Sequence, residues 1–453
     1  MLTDDLVHRA DTDQATRPRE FPRLVPAAPS PRRHAGTPAA DAIAPLLSVL
    51  FPDGVPVPFR FWDGSVLGPD TGPGTVLVRS PNALRRLLWA PGDLGVARAF
   101  VIGDLDVEGD LFAVLRALHT GHPDFAAGPA ELWSAVQSCR RAGALGPPLP
   151  PPPEEARTHG WRHSKRRDSQ AIRHHYDVGN HFYRLFLGPS MTYSSARFVD
   201  DRASLEEAQA AKHELVCRKL GLPQQPGARL LDVGCGWGSM ALHAAAHHGA
   251  QVVGITISAS QVELARARVA AAGLTDRIEI RLQDYRDLRG EQFDAISSIG
   301  MFEHVGAERT AQYFDTLHSL LRPGGRLLNH AISSMGGSRL KRRSFMGRFV
   351  FPDGELLDVG NVVLAMENRG FEVRDVESLR EHYVRTLRAW VANLEAGWED
   401  AVALVGPGRA RVWRLYMAAS ALGFEDNGVA VHQVLGVVPD ADGHSAMPPV
   451  RTW

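Results

Sequence analysis

The sequence predicts an α/β fold, a doubly wound parallel sheet preceded by a small α+β domain. Three observations carry that expectation. Residues 230–238 read Leu-Leu-Asp-Val-Gly-Cys-Gly-Trp-Gly, an apolar run ending in glycines at alternate positions, and an alanine-rich helical run follows over 240–246. That is a strand, a tight turn and a helix. Apolar runs at 230–233, 251–255, 278–282, 293–297 and 325–328 then alternate with helical patterns around 204–220, 239–248, 258–272, 307–321 and 360–369. Such alternation builds βαβ units and a parallel sheet, with its ligand crevice beyond the carboxyl ends of the strands. Before a proline run at 146–153 the pattern is different, with short strands and helices split by Gly/Pro/Asp turns.

In chain order, residues 1–40 are rich in Pro, Arg, Ala and Asp without a period and read as a disordered tail. Residues 41–145 read as the small α+β domain. A short helix is expected at 45–51, strands at 56–62 and 75–79, and amphipathic helices at 82–89 and 110–118. Residues 146–160 form a proline-rich linker, stiff and extended, whose reading as a spacer outweighs that of a recognition ligand. Residues 161–440 hold the doubly wound domain, with further helices over 384–420 and a late strand at 429–438; residues 441–453 are a C-terminal tail.

Composition bounds the partners. The chain has 453 residues, 44% hydrophobic and 22% charged, with a formal net charge of −1. That balance predicts no nucleic-acid partner. Cys139, Cys217 and Cys235 lie far apart and lack metal-ligand spacing, so neither a disulfide framework nor a zinc site is expected and a reduced cytoplasm fits best. No secretory signal and no run of 18 apolar residues is present.

The glycine turn is not a phosphate loop, because no Gly-Lys-Ser/Thr follows it, and Gly-x-Gly-x-Gly lacks the third glycine of the dinucleotide fingerprint. Glycine there accepts a positive φ and leaves no Cβ between backbone and ligand. Taken alone, the glycines also fit an ordinary structural turn. The surroundings settle the reading. Ile172-Arg-His-His-Tyr-Asp-Val-Gly-Asn180 leads to Phe182-Tyr-Arg-Leu-Phe-Leu187 and Met191-Thr-Tyr-Ser-Ser195. The glycine loop, Gly254-Ile-Thr-Ile-Ser258 with Gln261, and Ser298-Ile-Gly-Met-Phe-Glu-His-Val-Gly306 follow. Arg322-Pro-Gly-Gly325, Phe349-Val-Phe-Pro352 and His382-Tyr383 with Thr386-Leu-Arg-Ala-Trp390 complete the set. Over about residues 165–440 this order of motifs resembles the cyclopropane-fatty-acyl-phospholipid synthase family, the mycolic-acid-cyclopropane-synthase-like S-adenosylmethionine-dependent methyltransferases. The resemblance implies a Rossmann-like class I methyltransferase domain. Residues 41–145 also resemble the extra, lipid-binding domain of bacterial members that act on phospholipids.

S-adenosylmethionine needs a groove for adenosine, a partner for its ammonium and a dry space around its methyl. Asp232 and the backbone of Gly234 and Gly236 suit the amino-acid end. The resemblance gives the ribose side to the Ile257 backbone and Gln261, because 254–257 offer no acidic residue. It places Asp284 on the adenine amino group and packs Tyr285 on the ring, and it closes Tyr193 and Ser194 over the carboxylate. A helix cap and a surface aromatic are the bland readings of Asp284 and Tyr285.

The methyl acceptor in this family is a cis double bond in an acyl chain. An alkene is a weak nucleophile and its methylation leaves a carbocation, so the site must be apolar and dry and must supply a base for the proton lost on ring closure. The resemblance implies a bound bicarbonate ion as that base, with a cradle mapping onto Ser195, Glu303, His330, the Ile332 backbone and Tyr383. Read singly, Glu303 is a helix-terminal charge, His330 a satisfied core histidine and Tyr383 packing; their place inside the motifs favours the cradle. Ser195 departs from the family, where cysteine is common, and a methylene-branched product without ring closure is an alternative outcome. A non-catalytic lipid-binding protein is a further alternative, which Glu303, His330 and Tyr383 argue against.

Two cationic stretches bear on partners. Residues 157–173 hold six Lys/Arg and one acidic residue, and residues 338–349 mix five basic residues with Leu340, Phe345, Met346 and Phe349. A basic and apolar mixture beside the catalytic motifs suits anionic lipid headgroups. The expectation is a cytoplasmic enzyme held peripherally on the inner face of a membrane, acting on phospholipids with unsaturated acyl chains. Self-association is left open, with a homodimer among the alternatives.

Overall fold

The computed structural model describes residues 37–120, 128–156, 178–336, 341, 343–352, 354–451 and 453. Of the tail read over 1–40, residues 1–36 lie outside the described residues, while Ala39 and Ala40 are buried and helical; the stretch 157–177 and residues 337–340, 342 and 353 also lie outside, so the first basic stretch and part of the second do too.

The N-terminal layer opens with a helix at Ala39–Leu50. It starts earlier than the expected 45–51 because its first amides have acceptors in a distant turn: Ala39 N donates to Asp63 Oδ2 at 2.7 Å and Ala40 N to Ser65 Oγ at 3.0 Å. Strands β1 (Phe59–Phe61), β2 (Val66–Leu67), β3 (Gly74–Val78) and β4 (Leu105–Gly109) form a sheet in the order β2-β1-β3-β4. Helices Asn82–Trp89, Asp93–Ile102, Leu111–Thr120 and Pro129–Arg141 accompany it. Sequence reading found β1, β3 and the helix at 82–89; it missed β4 and the helix at 93–102, where Gly92, Gly95 and Gly103 break the apolar pattern.

The main sheet contains β5 (Arg229–Val233), β6 (Gln251–Thr256), β7 (Ile278–Leu282), β8 (Phe293–Ile299), β9 (Leu321–Ser334), β10 (Leu357–Asp358), β11 (Glu372–Ser378) and β12 (Val429–Val437). Its order is β11-β12-β9-β8-β5-β6-β7, with β10 beside β9. Strands β5 to β9 are parallel, and β12 runs antiparallel between β9 and β11. From β5 the chain steps outward through β6 and β7, then returns to β8 on the other flank. That reversal opens the crevice at the carboxyl end of β5. Helices Leu205–Leu220, Ser239–His248, Ala259–Ala271, Thr310–Ser319 and Val359–Glu367 cover the faces, within two or three residues of expectation. Strand β9 is much longer than the expected 325–328. Leu321 already pairs with Phe293, the Pro-Gly-Gly segment bulges out, and pairing resumes at Arg326 and runs on past His330.

The helix Arg380–Ala396 and the helical stretch Trp398–Glu425, kinked where Gly406 takes φ 78° before Pro407, join the layers. One core cluster runs from Leu94, Phe100, Val101 and Leu111 of the N-terminal layer to Phe182, Tyr183, Phe186, Trp390, Trp413 and Tyr416. The proline run is docked rather than free: Trp89 Nε1 donates to Gly146 O, Arg85 Nε to Pro147 O and Arg86 Nη1 to Pro150 O. No helix among the described residues is long and apolar enough to cross a membrane.

The polar clasp between layers is Arg411. Its Nη2 donates to Leu105 O at 2.6 Å, its Nη1 to Asp106 Oδ2 at 3.1 Å and its Nε to Phe100 O, and its guanidinium lies 4.4 Å from the Phe100 ring centroid. Burial pushes the Asp106 carboxyl up, and Arg411, the Val107 amide and Arg79 together more than offset this, leaving it below its ordinary value. Arg411→Ala removes three donors from part-buried acceptors and should destabilise the protein by roughly 2–4 kcal/mol. The midpoint of thermal unfolding should fall by several degrees, and amide exchange should speed up in both 93–109 and 398–425. An unchanged midpoint would show that the shared apolar core alone holds the layers.

Candidate active site

The glycine loop fixes the floor of a cavity. Gly234, Gly236 and Gly238 take φ of 75°, 55° and 80°. The amides of Gly234 and Cys235 both donate to Ile255 O, at 2.9 and 3.0 Å, so the turn is pinned to the end of β6. Gly254 lets it approach: a Cβ there would meet Cys235 Sγ at 3.1 Å and Ile280 Cδ1 at 2.8 Å. At Gly236 a Cβ would meet nothing within 4 Å and would project into open space above the loop.

About 1170 Å³ of partly solvent-open space lies there, enough for a nucleoside-sized ligand. Its lining includes Tyr193, Ser194, Asp232, Gly234, Gly236, Ile257, Gln261, Asp284 and Tyr285, so every residue expected at the cofactor faces one space. Asp232 is 2% exposed; its Oδ1 accepts from Ser297 Oγ at 2.8 Å and its Oδ2 is buried without a partner. Burial raises its carboxyl to about 6 despite Ser297 and Lys212. Gln261 Oε1 accepts from Thr256 Oγ1 at 2.7 Å. Asp284 caps the turn Tyr285–Asp287 by accepting from Arg286 N, and it also receives the Arg286 guanidinium at 2.6–3.1 Å. Its carboxylate is thus already engaged at the expected adenine end. Tyr285 is held edge-on by Tyr313, ring centroids 5.3 Å apart. The Tyr193 hydroxyl bonds to that of Tyr416 at 3.1 Å.

Sequence reading missed Lys212. It is 1% exposed, lines the same cavity and donates through Nζ to Ser194 Oγ at 3.0 Å. The signal was available. In the helix Leu205–Leu220, Gln209, Lys212 and Val216 share one face, and Gln209 and Lys212 are polar at core positions. Gln209 Nε2 donates to Ser194 O at 3.0 Å, so one helix face clamps Ser194 twice. Arg286, Met301, His304 and Arg309 also line the cavity, and burial lowers His304 to about 4.

The residues assigned to an anion cradle lie behind this cavity rather than on its walls. Glu303 sits in the turn Phe302–His304 just past β8. Its Oε1 accepts from Ile332 N at 2.7 Å, while Oε2 is buried and unpartnered. Burial raises its carboxyl to about 7, against the pull of the Ile332 amide. His330 precedes Ile332 by two residues on the same side of β9. It is 1% exposed, its Nδ1 meets Gln433 Nε2 at 3.3 Å and its Nε2 has no partner. Burial, followed by the charges of Lys212, Lys219 and His432, holds this imidazole well below its ordinary value, so it is neutral. Ser195 is fully buried and donates to Ala196 O at 3.0 Å; Ala196 N donates to Thr386 Oγ1, tying the segment to the helix that carries Tyr383. Tyr383 packs on Phe424 and Trp390. Around these groups Tyr183, Phe186, Tyr193, Trp390, Trp413 and Tyr416 stack at centroid distances of 5.3 to 6.3 Å, an aromatic and water-poor enclosure.

Elsewhere, Cys217, His243 and His248 bring ligand atoms within 4.8 Å of one another, a grouping their sequence spacing hides. Glu214 accounts for it as an ion-paired network, accepting from Arg218 at 2.7 Å and meeting both imidazoles.

The family model described as mycolic acid cyclopropane synthetase matches residues 163–434. A Mycobacterium tuberculosis protein named "Probable fatty acid methyltransferase" is 44% identical over 410 residues, covering 88% of this chain and 94% of that protein. The tuberculostearic acid methyltransferase of the same organism is 32% identical over 408 residues, covering 87% and 91%. The cyclopropane-fatty-acyl-phospholipid synthase of Escherichia coli is 37% identical over 374 residues, covering 81% and 88%. Among solved structures, mycolic acid cyclopropane synthase CmaA1, complexed with SAH and CTAB, aligns with a TM-score of 0.56 at 35% identity, over 59% of this chain and 97% of that one. The glycine loop, the strand order and the cavity are therefore those of a class I methyltransferase, and the chain belongs to the mycolic acid cyclopropane synthetase family as an S-adenosylmethionine-dependent methyltransferase.

Proposed function

We propose that the protein transfers the methyl group of S-adenosylmethionine to the cis double bond of an unsaturated phospholipid acyl chain and closes a cyclopropane ring. The observation that carries this reading is the pair of buried, unpartnered groups Glu303 Oε2 and His330 Nε2, behind the cofactor cavity and beside an aromatic enclosure. Two such groups, set among apolar side chains, can hold a small base out of water, which removal of a proton from a methylated cation requires. The cofactor supplies an electrophilic methyl. The double bond donates its electron pair to that carbon, and the cationic charge left on the second alkene carbon lies among aromatic faces, which stabilise cations. Loss of a proton from the new methyl then releases the electron pair that closes the ring.

Bicarbonate fits two of its assigned residues well. Glu303 Oε2 offers an acceptor and His330 Nε2 a ring nitrogen, both buried and open to a small hydrogen-bonding anion. Tyr383 would complete the cradle. The Ile332 amide and the Ser195 hydroxyl are engaged by Glu303 and Ala196 in this conformation. Bound there, bicarbonate would supply the base. Methylene branching without ring closure is a second reading, favoured by the likeness to a tuberculostearic acid methyltransferase and by serine at 195. Membrane contact through Lys341 and Arg343, both exposed, and through the N-terminal layer belongs to the same proposal.

Expression in a host lacking the activity, followed by mass spectrometry of its fatty acids, tests the function. The expected product is one CH2 heavier than the monounsaturated chain and resists mild hydrogenation. A heavier product that still takes up hydrogen would replace ring closure with branching, and no heavier product would remove the reading.

Gly236→Val should abolish S-adenosylmethionine binding, because the side chain would fill the open space above the loop and resist a positive φ. Calorimetry on the folded variant reads this, and unchanged affinity would make the loop merely structural. Glu303→Gln should bind the cofactor normally yet turn over on the order of 100-fold or more slower. In the wild type, turnover at saturating cofactor should rise with pH through about 7, as the Glu303 carboxyl loses its proton. The Gln variant should lack that rise. Methyl transfer from labelled cofactor into lipid gives both profiles, and a Gln variant with near-normal turnover would take Glu303 off the catalytic list.

A further inference from the structure

We infer that Lys212 is a cofactor-binding residue, the cation that receives the carboxylate of the cofactor's amino-acid moiety opposite Asp232. This rests on the cavity being the S-adenosylmethionine site and names a recognition element within it. Lysine is almost never fully buried unless paired. Lys212 is 1% exposed, and the hydrogen bond described for it is the one to Ser194 Oγ, which leaves two of its three N–H donors for a ligand. Asp232 lines the same cavity, yet no ion pair within 4.0 Å joins the two among the described residues. Each is positioned by a neutral hydroxyl instead, Ser194 for the lysine and Ser297 for the aspartate.

A buried cation and a buried anion that share a cavity wall without touching are complementary to a zwitterion. An α-amino acid presents an ammonium and a carboxylate on neighbouring carbons. Asp232 Oδ2, buried and unpartnered, takes the ammonium. Lys212 takes the carboxylate, and by gripping Ser194 it also draws the 191–196 segment over the same end of the ligand. Adenosine and the sulfur need neither charge, so the pair tells S-adenosyl amino acids from nucleosides that lack the amino-acid tail.

The charged and titratable groups coupled to Lys212 are Asp232 on β5, His213 on its own helix and His330 on β9. Burial lowers the Lys212 ammonium to about 7, and burial keeps both imidazoles neutral. Above that pH Asp232 is already ionised, so an arriving carboxylate should draw a proton onto Lys212.

Calorimetry of the full chain with S-adenosylhomocysteine and with 5′-methylthioadenosine tests the assignment. The second ligand keeps adenosine and sulfur but has no amino-acid group. Lys212→Met and Lys212→Gln should bind S-adenosylhomocysteine roughly 30-fold or more weakly and bind 5′-methylthioadenosine as the wild type does. The Gln variant keeps a hydrogen-bond donor for Ser194 and stands in if the Met variant does not fold. Above about pH 7, wild-type binding of S-adenosylhomocysteine should take up protons, read from titrations in buffers of different ionisation enthalpy, and the Gln variant should not. A Gln variant with wild-type affinity, or one that loses both ligands equally, overturns the inference. A wild type that binds neither ligand overturns the cofactor reading itself.

Discussion

A carboxylate with one hydrogen bond, held out of water at the end of a central strand, is costly to a fold. Asp232 is such a group, and the cofactor cavity is organised around its missing partner. β5 buries it, Ser297 from the neighbouring β8 satisfies one oxygen, and the glycine loop turns away at once so that the other oxygen faces the cavity. The loop in turn depends on Gly254 of β6, where any side chain would collide with Cys235. Three adjacent strands therefore cooperate to leave one oxygen unsatisfied, and under the proposed cofactor reading a ligand ammonium would supply the missing partner.

The segment 191–196 separates two environments. Tyr193 and Ser194 line the cavity, while Ser195 is fully buried and donates to Ala196 O. Its anchors come from far apart in the chain: Gln209 and Lys212 from one helix, Thr386 from another and Tyr416 from a third. A partly open cavity thus lies next to a buried aromatic cluster. That arrangement suits a reaction in which a charged donor meets a substrate that must be kept dry.

Local patterns were legible in the sequence and long-range ones were not. The glycine loop, the helix after it and the strands around it follow from short periodicities and turn residues, and the ordered motifs single out Asp232 and Gln261, which line the cavity, and Glu303, which does not. Lys212 was missed although Gln209 and Val216 share its helix face, because a lone lysine is usually a solvated one. The engagement of Asp284 by Arg286 was equally hidden, since two residues of opposite charge so close in sequence read as surface polarity. β9 was cut short because Arg322-Pro-Gly-Gly325 reads as a turn; only its pairing with β8 shows a bulge inside a long strand that runs on to His330 and Ile332. The helix at 93–102 escaped for a related reason: glycines weaken its pattern, and its burial comes from packing against a helix some 300 residues later.

The apolar core shared by the two layers limits how this chain can be divided. The aligned structures span little more than half of it, which invites treating the proline run as the seam of a detachable module. Leu94, Phe100 and Leu111 nevertheless belong to the same cluster as Trp413 and Tyr416. Cutting at the seam would bare apolar side chains of that shared cluster and would leave Arg411 without its acceptors. Under the proposed function the amino-terminal layer is thus part of what keeps water from the acceptor chain.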